Sequence, residues 1–156
     1  MSWQRISVER VIPAPPESIF ALLADPAGHL RIDGSGSVQA ARSGARRLQL
    51  GDRFGMDMRL GVAYSTRNVV TEFEENRLIA WRTLAAGPLS HLFTGRTWRY
   101  ELEPVDGGTR VRETWDLSTE KLPSRLPVRL AMGSMTRDNM TRTLERIAEV
   151  VAEPAG

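Results

Sequence analysis

The sequence has no cysteine, only two histidines and a single lysine. The absence of cysteine excludes a disulfide, a thiol nucleophile and a zinc–thiolate site. His29 and His91 leave little material for a metal cluster, so neither a metal nor another cofactor is expected. The sequence also lacks the glycine-rich phosphate loop and the GxSxG and HExxH motifs that mark several enzyme classes.

Long apolar runs are also missing. No stretch approaches the ~18 uninterrupted apolar residues that a membrane-spanning helix requires, so stable membrane insertion is not expected. The first residues, Met1 to Ile6, have neither the apolar segment nor the cleavage site of a signal peptide. These absences predict a cytoplasmic protein.

Charge of one sign does not dominate the sequence. The 21 basic residues face 19 acidic ones, which leaves a formal net charge of +2. Lys121 is the only lysine, and arginines stand beside acids along the chain, as in Arg110 to Glu113. A nucleic-acid footprint would be a segregated basic patch, and none is legible, so no nucleic-acid partner is expected.

The 156 residues suit one domain, and 41% apolar residues suffice for one hydrophobic core. No repeat or interdomain linker divides the chain, so residues 1–156 are predicted to form a single domain. Ile6, Val8 and Ile12 share one parity, which predicts a first strand with one buried face. The proline-rich stretch 13–16 ends that strand, and two short helices are predicted after it, around Phe20 and around Leu30.

Most of the remaining chain alternates between apolar and polar residues, which predicts strands. These strands are predicted at 37–41, 54–60, 64–73, 78–84, 96–103 and 109–117. The last segment changes to a period of 3.6 residues and predicts a helix from Arg125 to Val151, with Ser124 as its N-cap and Gly133 as a candidate interruption. Hairpin-connected strands with separate helices indicate an α+β fold, in which six to seven antiparallel strands curve around the long C-terminal helix.

Several stretches resemble one known superfamily. They are VIPAPPESIFALLADP at 11–26, DGSG at 33–36, VTEFEENRL at 70–78, and WRYELEP at 98–104 continuing to GTRV at 108–111. The chain is identified as a member of the START-like, or SRPBCC, superfamily, in its polyketide cyclase/dehydrase and lipid-transport branch. The resemblance implies the Bet v 1-like helix-grip fold, with an apolar cavity between sheet and helix. Because this superfamily includes lipid binders, aromatase/cyclases and proteins without known chemistry, the fold does not decide the function.

Polar residues that share parity with buried ones are the candidate site residues. The inward parity set by Val69 and Phe73 also includes Ser65 and Arg67, and Glu113 shares the parity of the apolar residues in the last strand. Arg67 and Glu113 are therefore predicted to meet in the cavity. The sequence leaves three possibilities open: the two residues form a structural ion pair, Arg67 anchors a ligand, or a bulge in the strand turns Arg67 outward.

Apolar and aromatic residues complete the predicted site. Trp98, Tyr100 and Trp115 are predicted to line the cavity wall, and Met56, Met58 and Met140 suit an adaptable apolar pocket. The resemblance places His29 at the cavity rim, where Asp33, four residues on, could pair with it. His91 lies in a loop that could form either an apolar lid or a packed hairpin tip.

Three functions fit this sequence. The first is the binding of a hydrophobic small molecule, lipid-like or aromatic and polyketide-like, in the internal cavity. The second is a cofactor-independent cyclase, aromatase or dehydratase acting on a polyketide-like substrate in the same cavity. The third is a non-catalytic, partner-regulating module whose cavity has collapsed. The sequence identifies neither catalytic residues nor an oligomeric state.

Overall fold

One strand, two short helices that begin at prolines, six further strands and a long helix follow one another, in the order that the sequence predicts. The structure, a computed structural model, describes residues 3–35, 38–41, 46–60, 62–85 and 94–153. Its elements are β1 (Arg5–Ile12), α1 (Pro16–Leu23), α2 (Pro26–Ile32), β2 (Val38–Ala41), β3 (Arg53–Leu60), β4 (Val62–Glu74), β5 (Leu78–Ala85), β6 (Thr94–Val105), β7 (Gly108–Asp116) and α3 (Leu122–Ala152).

The seven strands form one antiparallel sheet in the order β1-β7-β6-β5-β4-β3-β2. Strands β2 to β6 each pair with the next strand in sequence, whereas β1 pairs with β7, so that Arg5 lies opposite Asp116. The predicted α+β helix-grip architecture is confirmed, including the two short helices after the first strand. Among the described helices, none combines the length and the apolarity needed to cross a bilayer.

Strand β4 contains a bulge that reverses which side chains face inward. The register with β5 shifts between Val70 and Glu72. Before the bulge the even-numbered residues Thr66 and Val70 are buried, whereas beyond it Phe73 packs edge-on against Phe20, with ring centroids 5.4 Å apart. A bulge inserts one unpaired residue, so the parity on its two sides differs by one.

Helix α3 packs across the inner face of the sheet, as predicted. Met140, Leu144 and Ile147 are each at most 1% exposed, and Gly133 lies inside the helix without interrupting it. The helix begins at Leu122, three residues before the predicted start. The prediction that Ser124 is the N-cap is wrong: Lys121 occupies that position, and no side chain caps the helix there.

The turn after α2 is fastened to α3 at Gly34. Its backbone N–H donates to Thr143 Oγ1 at 3.0 Å, and its carbonyl oxygen accepts from Arg142 Nε at 2.9 Å. A Cβ atom at Gly34 would lie 2.5 Å from the backbone oxygen of Asn139, so only glycine permits this approach. The α2 turn, α3 and the sheet thereby bound an internal space.

Candidate functional site

A cavity of about 400 Å³ lies between the inner face of the sheet and α3. Strands β3 to β7 supply its wall, because their inward side chains face the helix across the sheet's curvature. Its apolar lining consists mainly of methionines and aromatic rings, with Met56, Met58, Met132, Met135 and Met140 all present. Unbranched thioether side chains fill irregular space and can adapt to different apolar ligands.

One end of the cavity is an aromatic cluster around His29. The imidazole stacks on Trp81, with ring centroids 4.6 Å apart, and meets Phe54 edge-on at 5.4 Å. His29 Nε2 lies 2.8 Å from the Leu23 carbonyl oxygen, so this nitrogen carries the hydrogen and donates it. Burial lowers the pKa of His29 below its ordinary value, and the ring is therefore neutral near pH 7.

Tyr100 and Glu113 form the polar centre of the wall. They lie directly opposite each other on β6 and β7, and the phenol hydrogen-bonds to the carboxyl group. Burial raises the pKa of Glu113 to about 8, although the Tyr100 bond opposes that rise, so the acid is largely protonated at pH 7. Burial, together with the Glu113 charge, raises the pKa of Tyr100 well above its ordinary value.

Glu113 also retains hydrogen-bonding capacity. Its Oε1 atom is buried and has no hydrogen-bond partner among the described residues. A buried carboxyl oxygen without a partner is costly, since it has lost its water contacts. A hydroxyl or carbonyl group of a bound molecule could satisfy it.

Arg96 is the cavity's buried cation, and Glu120 neutralises it. The two side chains are at most 2% exposed, and Arg96 Nε donates to Glu120 Oε1 at 2.8 Å. The other carboxylate oxygen, Oε2, accepts from the backbone N–H of Thr94 at 2.8 Å. Desolvation lowers the pKa of Arg96, and the nearby Glu120 charge opposes that shift. The pair is consequently a satisfied structural unit at the cavity wall.

A short hydrogen-bond chain crosses β4 and β5. Thr83 Oγ1 donates to Asn68 Oδ1 at 2.6 Å, and Asn68 Nδ2 donates to Thr66 Oγ1 at 3.2 Å. All three residues line the cavity. Because Thr66 accepts from Asn68, its own hydroxyl hydrogen is directed elsewhere and could be donated to a bound molecule.

Exposed members of the lining mark where the cavity meets solvent. Ser35, Met135 and Arg142 are exposed and yet line it, so the mouth lies between the α2 turn and the middle of α3. Within the described ranges, no group of three or more acidic or histidine side chains is placed to hold a metal ion.

Comparison with known proteins identifies the family. A family model described as polyketide cyclase / dehydrase and lipid transport matches residues 4–152. The chain belongs to this family.

This polyketide cyclase / dehydrase and lipid transport family member is also similar to two curated proteins of Mycobacterium tuberculosis. The Mycobacterium tuberculosis protein Rv0088 is 35% identical over 114 residues, which cover 72% of this chain and 47% of that protein. The chain thus spans about half the length of the curated relatives it matches.

Solved structures show the same fold. Protein CV1439 from Chromobacterium violaceum matches with a TM-score of 0.73 at 15% identity, over 97% of this chain and 99% of that one. DynU16, from the dynemicin biosynthetic locus, matches with a TM-score of 0.63 at 14% identity, over 94% of this chain and 46% of that one. At such low identities the likeness concerns the fold alone.

The structure brings most of the predicted site residues of this family member to one cavity. The lining includes Glu113, Trp98, Tyr100, Trp115, Met56, Met58, Met140 and His29. Their role in binding stays a prediction. His29 hydrogen-bonds through Nε2 to the Leu23 carbonyl oxygen, and the charge of Asp33 acts to raise the pKa of the imidazole. His91 and its loop fall outside the residues that the structure describes.

The predicted inward orientation of Arg67 is wrong. Arg67 is exposed, and Ser65, which has the same parity, is half-buried; neither lines the cavity. The prediction assumed that Val69 and Phe73 point to the same face of the sheet. The β4 bulge lies between them, so the odd-numbered residues before it point away from the cavity although Phe73 points inward. An Arg67–Glu113 pair is therefore excluded, and so is Arg67 as a ligand anchor within the cavity.

Sequence reasoning missed Arg96, Thr66, Asn68 and Thr83. The signal for Arg96 was present, because it shares the parity of Trp98 and Tyr100 in one uninterrupted stretch of β6. No such signal existed for Thr66 and Asn68, since their inward facing follows from the bulge.

Proposed function

We propose that this chain binds a hydrophobic small molecule, lipid-like or aromatic and polyketide-like, inside the cavity. The observation that carries the proposal is the cavity itself, about 400 Å³ in volume and lined by methionine and aromatic side chains. Ligand pockets of proteins typically measure ~300–1,000 Å³ and are mostly apolar with few polar groups. A cavity this large does not favour the collapsed, partner-regulating alternative.

The polar groups of the wall favour a ligand without net charge. Arg96 already has its counter-charge in Glu120, so a ligand carboxylate would have to compete with a buried, satisfied pair. Glu113 is largely protonated at pH 7 and offers a hydroxyl group together with an unsatisfied oxygen. A ligand hydroxyl or carbonyl group would fit this position and orient an otherwise apolar molecule.

The proposal is tested with N-phenyl-1-naphthylamine, a neutral aromatic probe whose fluorescence rises in apolar surroundings. We expect saturable binding to the wild-type chain. Met58→Trp, which adds bulk to the cavity wall, should weaken binding roughly tenfold or more, because the probe and the indole would occupy the same space. Arg59→Trp is the matched control, since Arg59 is the next residue of β3 and is exposed.

Absence of saturable binding by the wild-type chain would overturn the proposal, and so would equal binding by both variants. Native mass spectrometry of freshly expressed protein provides a second measurement. A retained apolar molecule should appear as a discrete mass increase that the Met58→Trp variant loses.

A second candidate, a cofactor-independent cyclase or dehydratase, is favoured by one observation. Tyr100 and Glu113 place two proton-carrying groups together in the cavity, and the pKa of Glu113, about 8, suits proton transfer near neutral pH. Both reactions remove a proton next to a carbonyl group.

The probe for this activity is 1-tetralone in D₂O. The wild-type chain should accelerate deuterium incorporation beside the carbonyl group, and Glu113→Gln should abolish that acceleration. Equal rates for the two would exclude Glu113 from such chemistry.

A further inference from the structure

The first half of α3 presents an apolar face to solvent. Leu122, Leu126 and Leu130 are 73%, 52% and 75% exposed, although leucine is normally among the most buried residues. They recur every four residues and so follow one side of the helix. We call these three residues the leucine face. The exposed residues that directly follow each of them, Pro123, Pro127 and Ala131, are apolar as well.

The segment of α3 that carries the leucine face is basic. The 17 residues from Lys121 to Arg137 contain four basic residues and neither aspartate nor glutamate. Arg125 donates to the carbonyl oxygens of Glu120 and Ser118, and Arg129 donates to the carbonyl oxygen of Trp3. Carbonyl oxygens carry no net charge, so these bonds orient the guanidinium groups without neutralising them.

The two cations at the ends of the segment are exposed. Within the described part of the chain, the side chains of Lys121 and Arg137 take part in no ion pair. The segment therefore combines an exposed apolar face with uncompensated positive charge, a combination that matches an interface between lipid headgroups and acyl chains when the lipids are anionic.

We propose that the leucine face is a peripheral docking surface for an anionic lipid bilayer. The helix lies along the membrane surface, and the leucines enter the headgroup region without spanning the bilayer. Exposed Trp3 is held beside the helix through its carbonyl bond to Arg129, and indole rings favour membrane–water interfaces. Docking of this kind is independent of whether the cavity holds a ligand.

A second copy of the chain fits this surface less well. A standard protein–protein interface uses ~20–30 residues on each side, whereas the exposed apolar face contains six on one helix. Two copies would also bring together two segments of like charge, which opposes association. An anionic bilayer supplies the opposite charge and an apolar layer at once.

The location of the surface gives it a consequence for the cavity. Met135 lines the cavity and is 40% exposed, and it lies five residues beyond Leu130, about 7.5 Å along the helix axis. Those five residues also turn the helix by about 140°, so the cavity mouth opens on another side of α3 and stays accessible to solvent when the leucine face docks.

The test is co-sedimentation of the full chain with sucrose-loaded vesicles. We expect binding to vesicles of phosphatidylcholine mixed with phosphatidylglycerol and little binding to phosphatidylcholine alone. The variant Leu122→Ser/Leu126→Ser/Leu130→Ser should bind the mixed vesicles roughly tenfold more weakly or worse, because it loses the inserting apolar groups. The control Val11→Ser/Leu50→Ser, which changes apolar residues exposed elsewhere, should bind as the wild type does.

A charge variant tests the second half of the proposal. Lys121→Gln/Arg137→Gln should weaken binding about fivefold for each cation removed, and the effect should diminish at high salt. Circular dichroism and N-phenyl-1-naphthylamine titration of every variant should match the wild type, which separates a failure of docking from a failure to fold or of the cavity.

Four results would overturn the proposal. One is the absence of wild-type binding to the mixed vesicles. The second is equal binding by the wild type and the leucine variant, and the third is equal binding to neutral and anionic vesicles. The fourth is a wild-type dimer in sedimentation velocity that the leucine variant converts to monomer, because the face would then be an interface between copies.

Discussion

Glu113 makes the stability of the folded chain depend on pH in the neutral range. Burial raises its pKa from 4.5 to about 8 in the folded chain. Between these two values the folded chain holds a proton that the unfolded chain has lost, so stability falls as pH rises. The contribution is complete below about pH 4.5 and is lost once pH has risen through about 8.

Glu113→Gln should remove this dependence, because an amide does not ionise. The free energy of unfolding of the variant, relative to wild type, should rise between pH 5 and 8 with a slope of at most about 1.4 kcal/mol per pH unit. Urea denaturation at four pH values measures it. A difference between the two proteins that stays constant with pH would show that Glu113 does not titrate in this range.

Arg96 should be essential to stability because its partner is buried. Arg96→Leu leaves the Glu120 carboxylate without its cation and should cost about 3–5 kcal/mol in the free energy of unfolding. Arg99→Leu is the control: it breaks the half-exposed pairs with Glu72 and Glu101 and should cost about 1 kcal/mol or less.

The double variant Arg96→Leu/Glu120→Leu should regain part of the loss, since it removes both buried charges. Urea denaturation of the wild type, Arg96→Leu, Glu120→Leu and the double variant gives the coupling energy between the two side chains. Strictly additive effects of the two single changes would contradict a direct partnership.

Arg96 and Arg67 show when the alternation of residues in a strand predicts which face of the sheet a side chain points to. Alternation within one uninterrupted strand is reliable, because successive side chains point to opposite faces, and it would have placed Arg96 inward beside Trp98. Arg67 was assigned from a strand with a bulge. A bulge depends on how β4 pairs with β5, which is a property of the folded sheet, so the sequence of β4 alone did not reveal it.

At the scale of elements, α3 holds the inner face of the sheet closed. Leu144 is 1% exposed and belongs to the main core, so Leu144→Ala should lower the free energy of unfolding by about 2–5 kcal/mol. Leu130→Ala is the control on the same helix, because Leu130 is exposed and should lose less than about 0.5 kcal/mol. Equal losses in urea denaturation would mean that the packed side of α3 is assigned incorrectly.

The order of elements was predictable for a physical reason. Periods of 2 and 3.6 residues report burial directly, and prolines and glycines bound the segments. The start of α3 was less predictable. Ser124 is a favourable N-cap type, but Pro123 is tolerated in the first turn, and the chain becomes helical at Leu122 although Pro127 then lies inside the helix. The cavity volume depends on packing between α3 and the sheet, which no local pattern encodes.

At the scale of the whole molecule, an empty cavity and a filled one should differ in stability. A ligand that binds only the folded chain adds RT ln(1 + [L]/Kd), which is about 2.7 kcal/mol at a concentration one hundred times Kd. N-phenyl-1-naphthylamine should therefore raise the urea midpoint of the wild-type chain but leave that of Met58→Trp nearly unchanged. An equal rise in both would place the probe somewhere other than the cavity.

The pairing of β1 with β7 has a consequence for the order of events during synthesis. Arg5 and Asp116 are partners across the sheet, so the first strand finds its neighbour only after more than 100 further residues have been made. At about 5–20 residues per second this is a wait of roughly 5–20 seconds on the ribosome. Strands β2 to β6 can pair with sequence neighbours meanwhile, whereas β1 keeps an apolar face without its sheet partner. Chaperone binding to the nascent chain is therefore most favoured before β7 has been made, while the apolar face of β1 lacks its neighbouring strand.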